Sequence, residues 1–215
     1  MNLLFELLNA TLETLFMVSV SGVLALLLGL PLGILLFSTR QINLLPMPIL
    51  NKSLSFIVNM MRSIPFIILM LAIIPLTRFL VGTSIGTSAA IVPLTLATIP
   101  YLARMIENNL NQLPSGLIET GQAMGATTWQ LFSTILLNEA LPDIISTLTI
   151  ALITLIGYSA MAGAVGGGGL GDLAIRYGYQ RFDAKIMSLT IVILIVLVQG
   201  IHHLGDYWAK RLNHR

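Results

Sequence analysis

Long apolar blocks separated by shorter polar stretches dominate the pattern of this chain. Each block is near the length of about 20 residues that a helix needs to cross a hydrocarbon core about 30 Å thick. Runs such as 23–30 and 191–198 are apolar throughout and lack the period of two expected for the strands of an outer-membrane barrel. The pattern therefore predicts a polytopic bundle of five transmembrane helices, at 15–37, 56–81, 85–105, 141–165 and 186–207.

The composition indicates that lipid is the main solvent of the surface. Hydrophobic residues make up 56% of the chain and charged residues 9%, against about 25% charged in an ordinary soluble domain. The formal net charge is only +2 and there is no cysteine, which argues against nucleic acid as a partner and excludes thiolate metal sites. We therefore expect an all-α membrane protein that forms a single transmembrane domain over 1–215, contacts membrane lipid and holds no metal.

The positions of Lys and Arg predict the orientation, because cytoplasmic loops retain positive charge. An odd number of spans places the two termini on opposite sides of the membrane. With the N-terminus outside, six cations lie inside and four outside; the inner ones are Arg40, Lys52, Arg104, Lys210, Arg211 and Arg215, and the outer ones are Arg78, Arg176, Arg181 and Lys185. We therefore expect the C-terminus and the long polar segment 107–139 to be cytoplasmic.

Segment 113–142 reads LPSGLIETGQAMGATTWQLFSTILLNEALP and carries signals for two short helices at an angle. Ser115 is suited to cap the first helix and Gly125 to end it. Thr127 and Gln130 have the spacing of a capping box, which predicts that a second helix starts at once. The second helix carries an apolar stripe, formed by Trp129, Leu131, Phe132, Ile135 and Leu136. We expect this stripe to dock against something, because the elbow is too short to span and too apolar to remain in solvent; the alternative is an elbow lying on lipid headgroups.

Five residues of this segment match a family pattern: Glu119, Ala123, Gly125, Ile135 and Leu137. They have the spacing of the EAA loop, the Glu-Ala-Ala, Gly and Ile-x-Leu-Pro signature of bacterial ABC importer permeases, which this chain therefore resembles. The chain departs from the signature at three positions, namely Thr120, Gly121 and Asn138. The resemblance implies a coupling helix that inserts into a groove of the ATPase subunit, with contact residues Glu119, Gly121, Ala123, Met124, Gly125 and Ala126.

Further stretches resemble the methionine-uptake branch of these permeases, among them MRSIPFIILM, GTSIGTSAAIVPLT and RYGYQRFDAKIM. The similarity runs from near Glu13 to the C-terminus. It implies the type I importer permease fold, a homodimer in the bacterial inner membrane, two copies of an ABC ATPase that bind ATP and Mg, and an extracytoplasmic methionine-binding lipoprotein. It also implies that the chain itself is not an enzyme, binds no cofactor and conducts D- and L-methionine.

A glycine run, GAVGGGGLG at 163–171, follows the fourth span. It lacks the GK[ST] ending of a phosphate-binding P-loop and follows a membrane helix instead of a strand, so we interpret it as a break in the helix backbone. Tyr158, Ser159 and Met161 precede the break. They are candidates for a pathway or gate, with Met161 as an adaptable apolar gate; packing and hydrogen bonding between helices are the alternative interpretation.

Three charged residues lie close to predicted spans. Arg62 lies near the expected cytoplasmic end of the second span, where it is either functional or extends toward the lipid headgroups. Arg104 and Glu107 are three residues apart on a helix, which predicts an exposed ion pair on the surface that faces the ATPase.

Three other functions fit parts of the sequence. The permease could instead carry another amino acid or a small peptide, because selectivity in binding-protein systems lies largely in the receptor. An intramembrane serine protease would pair Ser159 with His202 or His203, but Ser159 lies roughly 24 Å along its helix from the cytoplasmic end, whereas His202 lies near that end. A passive channel would need neither ATP nor the elbow.

Overall fold

A computed structural model describes residues 3–40 and 45–212, and every regular element within these residues is a helix. Arg215, one of the expected inner cations, lies outside the described residues. In chain order the elements are α1 (Leu3–Ser38), α2 (Pro48–Arg62), α3 (Phe66–Ala72), α4 (Ile74–Val81), α5 (Thr87–Asn111), α6 (Ser115–Ala123), α7 (Thr128–Gln130), π1 (Leu131–Leu136), α8 (Leu137–Gly163), α9 (Gly169–Leu173), π2 (Ala174–Tyr179) and α10 (Ala184–Leu212).

This architecture agrees with the five predicted spans. Four helices of the described chain are long and apolar enough to cross a membrane, and the bent pair α2 and α3 makes a fifth. The first helix begins at Leu3 instead of residue 15, because its first turns also bury apolar residues. Leu7 and Ala10 pack there against Leu170 and Leu173 of α9.

The second span is broken, which corrects the expectation of one continuous helix over 56–81. Helices α2 and α3 meet at an angle of 99°. Pro65 is the N-cap of α3, and a proline has no N–H to continue a helix and disfavours helical backbone in the preceding residue. A second, smaller break lies at Ile73, one residue before α4. The break therefore leaves the end of α2, with the exposed Arg62, beside Tyr101 of α5.

The first and third spans form the closest helix pair. A Cβ at Gly33 would lie 2.7 Å from the carbonyl oxygen of Ala103, and one at Gly29 would lie 2.9 Å from Cβ of Leu102. Small residues therefore let the two backbones approach, as expected where lipid supplies no hydrophobic driving force between helices. Leu102 and Ile106 join Phe37 in the core at one end of this pair.

The fourth span begins earlier than predicted. Helix α7 continues through π1 into α8, so one helical rod runs from Thr128 to Gly163 and not from residue 141. The turn before this rod and the turn after it define two ends of the bundle. We call the end that carries α6, α7 and π1 the elbow end, and the end that carries 164–168 and α9 the glycine end.

Candidate functional site

The elbow turns at a glycine, as predicted. Gly125 has φ +77°, the left-handed backbone in which a residue with a Cβ is strained. The N–H of Gly125 donates to the carbonyl of Gln122 at 2.9 Å and that of Ala126 donates to Gly121 at 3.0 Å, the bond pattern of a Schellman motif. Ser115 is not the cap of α6: Pro114 occupies that position and Ser115 is the first residue of the helix.

The predicted capping box is confirmed. The backbone N–H of Gln130 donates to Oγ1 of Thr127 at 3.3 Å, and the backbone N–H of Thr127 donates to Oε1 of Gln130 at 2.8 Å. Two N–H groups that the helix start leaves unpaired are thus satisfied reciprocally. The bonds that shape the elbow therefore come from its own few residues.

Gly121 lies inside the elbow and not on its outer surface. It is buried, and a Cβ there would overlap Cδ2 of Leu131 and lie 3.1 Å from Cδ1 of Ile135. The replacement of a motif alanine by glycine thus lets α6 close against π1. Of the six residues implied to contact an ATPase, Gly121 acts by packing the two halves of the elbow together.

The apolar stripe of the second elbow helix does dock, as expected, and what it docks against is the bundle of its own chain. Leu131, Phe132 and Leu136 are buried. The ring of Phe132 meets the ring of Phe37 edge to face, with centroids 6.2 Å apart. The elbow is therefore attached to α1 and α5 by apolar contacts.

Two large apolar side chains remain outside this packing. Met124 is 81% exposed and Trp129 is 77% exposed. Together with the exposed Glu119, Ala123 and Gly125 they form a surface that we call the elbow tip. The sequence pattern groups Trp129 with the apolar stripe, but the structure leaves it exposed. Trp129 is only two residues after the capping residue Thr127 and precedes the first buried position at Leu131. That early position in the helix is the signal that distinguishes it from the rest of the stripe.

Arg104 and Glu107 form an ion pair, but the pair is buried and not exposed. Glu107 is 1% exposed, with Oε2 at 2.5 Å from a guanidinium nitrogen of Arg104 and Oε1 at 3.5 Å from Nε of Arg40. Arg104 also donates to Oδ1 of Asn59 at 3.0 Å. One carboxylate therefore joins α1, α2 and α5 at the elbow end, and a buried charge held by two cations avoids the cost of an unpaired one.

A polar cavity of 160 Å³ lies where α2 breaks. Arg62, Tyr101 and Tyr158 contribute its polar groups. The ring of Phe66 stacks on that of Tyr158, with centroids 4.5 Å apart and planes 4° from parallel. The structure thus brings together Arg62 and Tyr158, which sequence reasoning had placed at opposite ends of the bundle.

Arg62 lies at the level of Tyr101 of α5. Tyr101, which lines the same cavity, is ten residues before the last residue of α5 and fourteen after the first. At 1.5 Å per residue these separations are roughly 15 Å and 21 Å. Tyr101 is also four residues before the end of the third span predicted at 85–105, so the position of Arg62 at the cytoplasmic end of the second span stays a prediction.

The other two pathway candidates, Ser159 and Met161, lie in different surroundings. Ser159 is 2% exposed and donates to the carbonyl of Ile156 at 2.8 Å, so its hydroxyl is used within its own helix. Met161 is 51% exposed and lines an open apolar groove beside Ile67 and Ala164. His202 approaches Asp206 at 3.5 Å. The described residues therefore offer no paired Ser159 and histidine.

The glycine end is held by long-range hydrogen bonds. Oε2 of Glu13 accepts from the N–H of Gly169 at 2.7 Å, and Oγ1 of Thr14 accepts from the N–H of Leu170 at 2.9 Å. The carbonyl of Gly166 accepts from the N–H of Gly86 at 2.8 Å. The predicted break in the helix is confirmed, and the first helix and the start of α5 fasten it.

A second polar cavity, of 150 Å³, opens beside this fastening. Glu6, Glu13, Asp172 and Arg176 contribute its charges. The hydrogen bond from Arg176 to Asp172 raises the pKa of the Arg176 guanidinium. Among residues 3–40 and 45–212, no group of three His, Cys, Asp or Glu side chains is arranged to hold a metal ion.

Comparison with known proteins identifies relatives over nearly the whole chain. A family model described as "binding-protein-dependent transport system inner membrane component" matches residues 11–215. A protein of Vibrio cholerae serotype O1, named "Probable D-methionine transport system permease protein MetI", is 54% identical over 209 residues, which are 97% of this chain and 93% of that relative.

Solved structures show the same fold. One described as an inward-facing conformation of the MetNI methionine ABC transporter, in its native crystal form, has a TM-score of 0.97 and 48% sequence identity, with 98% of each chain covered. An amino acid ABC transporter with histidines has a TM-score of 0.78 at 17% identity, covering 95% of this chain and 93% of that one. The second likeness concerns the fold alone.

Proposed function

This chain belongs to the family of inner membrane components of binding-protein-dependent transport systems, and on that premise we propose that it is the methionine permease subunit of an ATP-binding-cassette importer. The observation that carries this function is the match to the MetNI methionine transporter across 98% of both chains. The Vibrio cholerae relative, named for D-methionine transport, supports the same substrate. No observation favours another amino acid, a peptide or a protease.

We infer further that the permease works as a homodimer, with residues 1–215 of each copy acting as a single domain. Five spans from one chain are too few to enclose a path for an amino acid, so a path at a two-fold interface is expected. The open apolar groove with Met161 supports this, because an exposed apolar face at a pathway suits an adaptable thioether gate. Tyr158 lines the deeper cavity and is the second pathway residue.

Two copies of an ABC ATPase are proposed as partners, with ATP and Mg bound on those subunits and none on this chain. The elbow tip is their docking surface: Met124 and Trp129 are large, apolar and exposed on an otherwise polar segment. Residues of this type form the energetic centres of protein interfaces. Glu119, Ala123, Gly125 and Ala126 complete the contact, and the elbow end is then the cytoplasmic one.

The remaining partner is proposed to be an extracytoplasmic methionine-binding lipoprotein that delivers D- or L-methionine at the glycine end. Support comes from the family, whose members serve binding-protein-dependent systems. The glycine end offers charged groups for such a contact, including Asp172 and Arg176. The N-terminus then lies outside and the C-terminus in the cytoplasm.

The test compares two tryptophans in a strain that lacks its own methionine importers. Trp129 is at the elbow tip, whereas Trp208 is at the elbow end of α10 and 51% exposed. Wild type, expressed with its ATPase and binding protein, is expected to take up methionine. Trp129→Ala should lower uptake and stimulated ATP hydrolysis by about tenfold, the effect of losing about 1.4 kcal/mol at an interface centre.

Trp208→Ala is the matched control and should stay within about twofold of wild type. Because ATP is hydrolysed in the cytoplasm, loss of stimulation by Trp129→Ala also supports a cytoplasmic elbow. Equal effects of the two substitutions contradict the coupling surface. Absence of methionine uptake by the wild-type complex contradicts the function itself.

A further inference from the structure

We propose that the cavity lined by Arg62, Tyr101 and Tyr158 is a transient binding site for the carboxylate of the amino acid in transit. This inference rests on the proposed function, because it concerns the path of that substrate. Arg62 would bind the carboxylate, and the stacked rings of Phe66 and Tyr158 would contact the apolar side chain.

Arg62 differs from the cations of the bundle that pair with a carboxylate. Arg104 and Arg40 share the carboxylate of Glu107, and Arg176 pairs with Asp172. Among residues 3–40 and 45–212, no carboxylate lies within ion-pair distance of Arg62. Its counter-ion is therefore not supplied by the part of the chain that the structure describes.

Arg62 is exposed on the surface of the described chain, next to the break in the second span. It ends α2 beside Tyr101, four residues before the end of the third span predicted at 85–105. A charge in or near a span usually faces a water-filled cavity or a partner. The break at Pro65 provides that cavity at the end of the helix.

The other groups of the cavity fit an amino acid more closely than a simple anion. A guanidinium can bind a carboxylate through two parallel hydrogen bonds, and the phenol hydroxyls of Tyr101 and Tyr158 can add further donors. A thioether packs well against aromatic rings, which the Phe66 and Tyr158 stack provides. The volume of 160 Å³ equals about five waters at about 30 Å³ each, enough for the polar end of an amino acid.

The composition of the cavity also indicates that binding is weak. Its lining residues include no carboxylate to receive the ammonium group of the substrate. The lining comes from α2, α3, α5 and α8, and α2 meets α3 at the 99° break. Movement at that break would separate Arg62 from the two tyrosines, so the site can release what it binds, as transport requires.

The test uses a photoreactive diazirine analogue of methionine and the assembled importer in nanodiscs. After illumination, mass spectrometry locates the label on permease peptides, which separates this site from any site on the partner subunits. Wild type should carry label near Phe66 or Tyr158, and excess methionine should remove it. Methioninol, which lacks the carboxylate, should compete about tenfold less well, as expected for the loss of a charge-assisted contact.

Arg62→Gln should lower both the labelling and methionine uptake by about tenfold, and Arg62→Lys should retain part of each because a point charge remains. Lys52→Gln, which removes an exposed cation from the same helix, should leave both unchanged. Unstimulated ATP hydrolysis and the elution volume of the complex report whether each variant is assembled.

Three results would overturn the site. The first is equal labelling of wild type and Arg62→Gln while wild-type uptake proceeds. The second is label that excess methionine does not displace, which would indicate reaction of the analogue outside a specific site. The third is loss of the dimer in Arg62→Gln with labelling intact, which would indicate a counter-ion from the second copy. Failure of wild-type uptake, by contrast, refutes the proposed function.

Discussion

The two ends of the rod from Thr128 to Gly163 both redirect the chain at glycines with positive φ, yet they are held in different ways. At the elbow, the bonds of Gly125, Ala126 and Thr127 all close within ten residues. At the glycine end, the N–H groups of 169 and 170 donate to side chains 156 residues away on α1. The elbow thus keeps its shape by local bonds, whereas the glycine end needs another helix.

This difference indicates how each end can move. Apolar contacts such as that between Phe37 and Phe132 attach the elbow to the bundle, and such contacts are non-directional. A partner can therefore shift the elbow together with the rod that continues from it, without breaking the elbow's local hydrogen bonds. The glycine end cannot separate from α1 without exposing the N–H groups that Glu13 and Thr14 now satisfy.

The largest expected effect compares one substitution at two glycines. A Cβ at Gly171 would overlap backbone atoms of Ala160, whereas a Cβ at Gly116 in α6 meets nothing within 4 Å. Gly171→Ala should destabilise the protein by about 3 kcal/mol or more, since backbone atoms cannot yield as a side chain does. Gly116→Ala should be neutral or stabilise by about 0.5–1 kcal/mol.

Thermal unfolding in detergent, together with the yield of monodisperse protein, measures both. Equal stability of the two glycine variants would show that the glycine end is not closely packed and would remove the contrast between the ends.

A smaller effect on stability is expected from replacing Glu13, whose carboxylate holds the glycine end to α1. Glu13→Ala removes the acceptor for the N–H of Gly169, and a hydrogen bond to a charged group contributes about 1.5–3 kcal/mol. The melting temperature should fall by about 3–12 °C, at about 2–4 °C per kcal/mol for a chain of this size. Glu6→Ala is the control, because Glu6 lines the same cavity without accepting that bond. A similar fall in both variants would assign the effect to the charge of the cavity.

The smallest expected effect is at the elbow. Thr127→Ala removes one half of the capping box, for about 1 kcal/mol. Because the elbow's bonds are local, amide hydrogen exchange should quicken over 115–130 while the melting temperature stays within about 2 °C of wild type. Thr128→Ala, one residue later, is the matched control. Faster exchange at 163–170 in Thr127→Ala would show that the two ends are not independent.

The same division explains what the sequence could predict. The stop at Gly125 and the cap at Thr127 are local signals, and both are confirmed. The five spans follow from hydropathy summed over about 20 residues, and they agree with the structure. Even the break after Gly163 could be predicted, because a run of glycines has no stable helix.

Features that join distant segments were not predictable. The burial of Glu107 depends on Arg40, which lies 67 residues earlier and beyond any periodic pattern. The position of Arg62 beside Tyr158 depends on the 99° turn before Phe66, and a proline in the sequence indicates a break without giving its angle. The outward position of Trp129 likewise depends on how the elbow packs against α1.

Helix α1 has a mechanical consequence. Glu13 contacts the glycine end and Phe37 contacts the elbow, and 24 residues of one helix separate them, roughly 36 Å. Because α1 is held at both ends, a displacement at one end would be passed along the helix axis to the other. Helix α1 would therefore couple the elbow end and the glycine end of the permease. Pro31 lies within α1. Since proline lacks an N–H and leaves one hydrogen bond of the helix unmade, any bending of α1 would occur there.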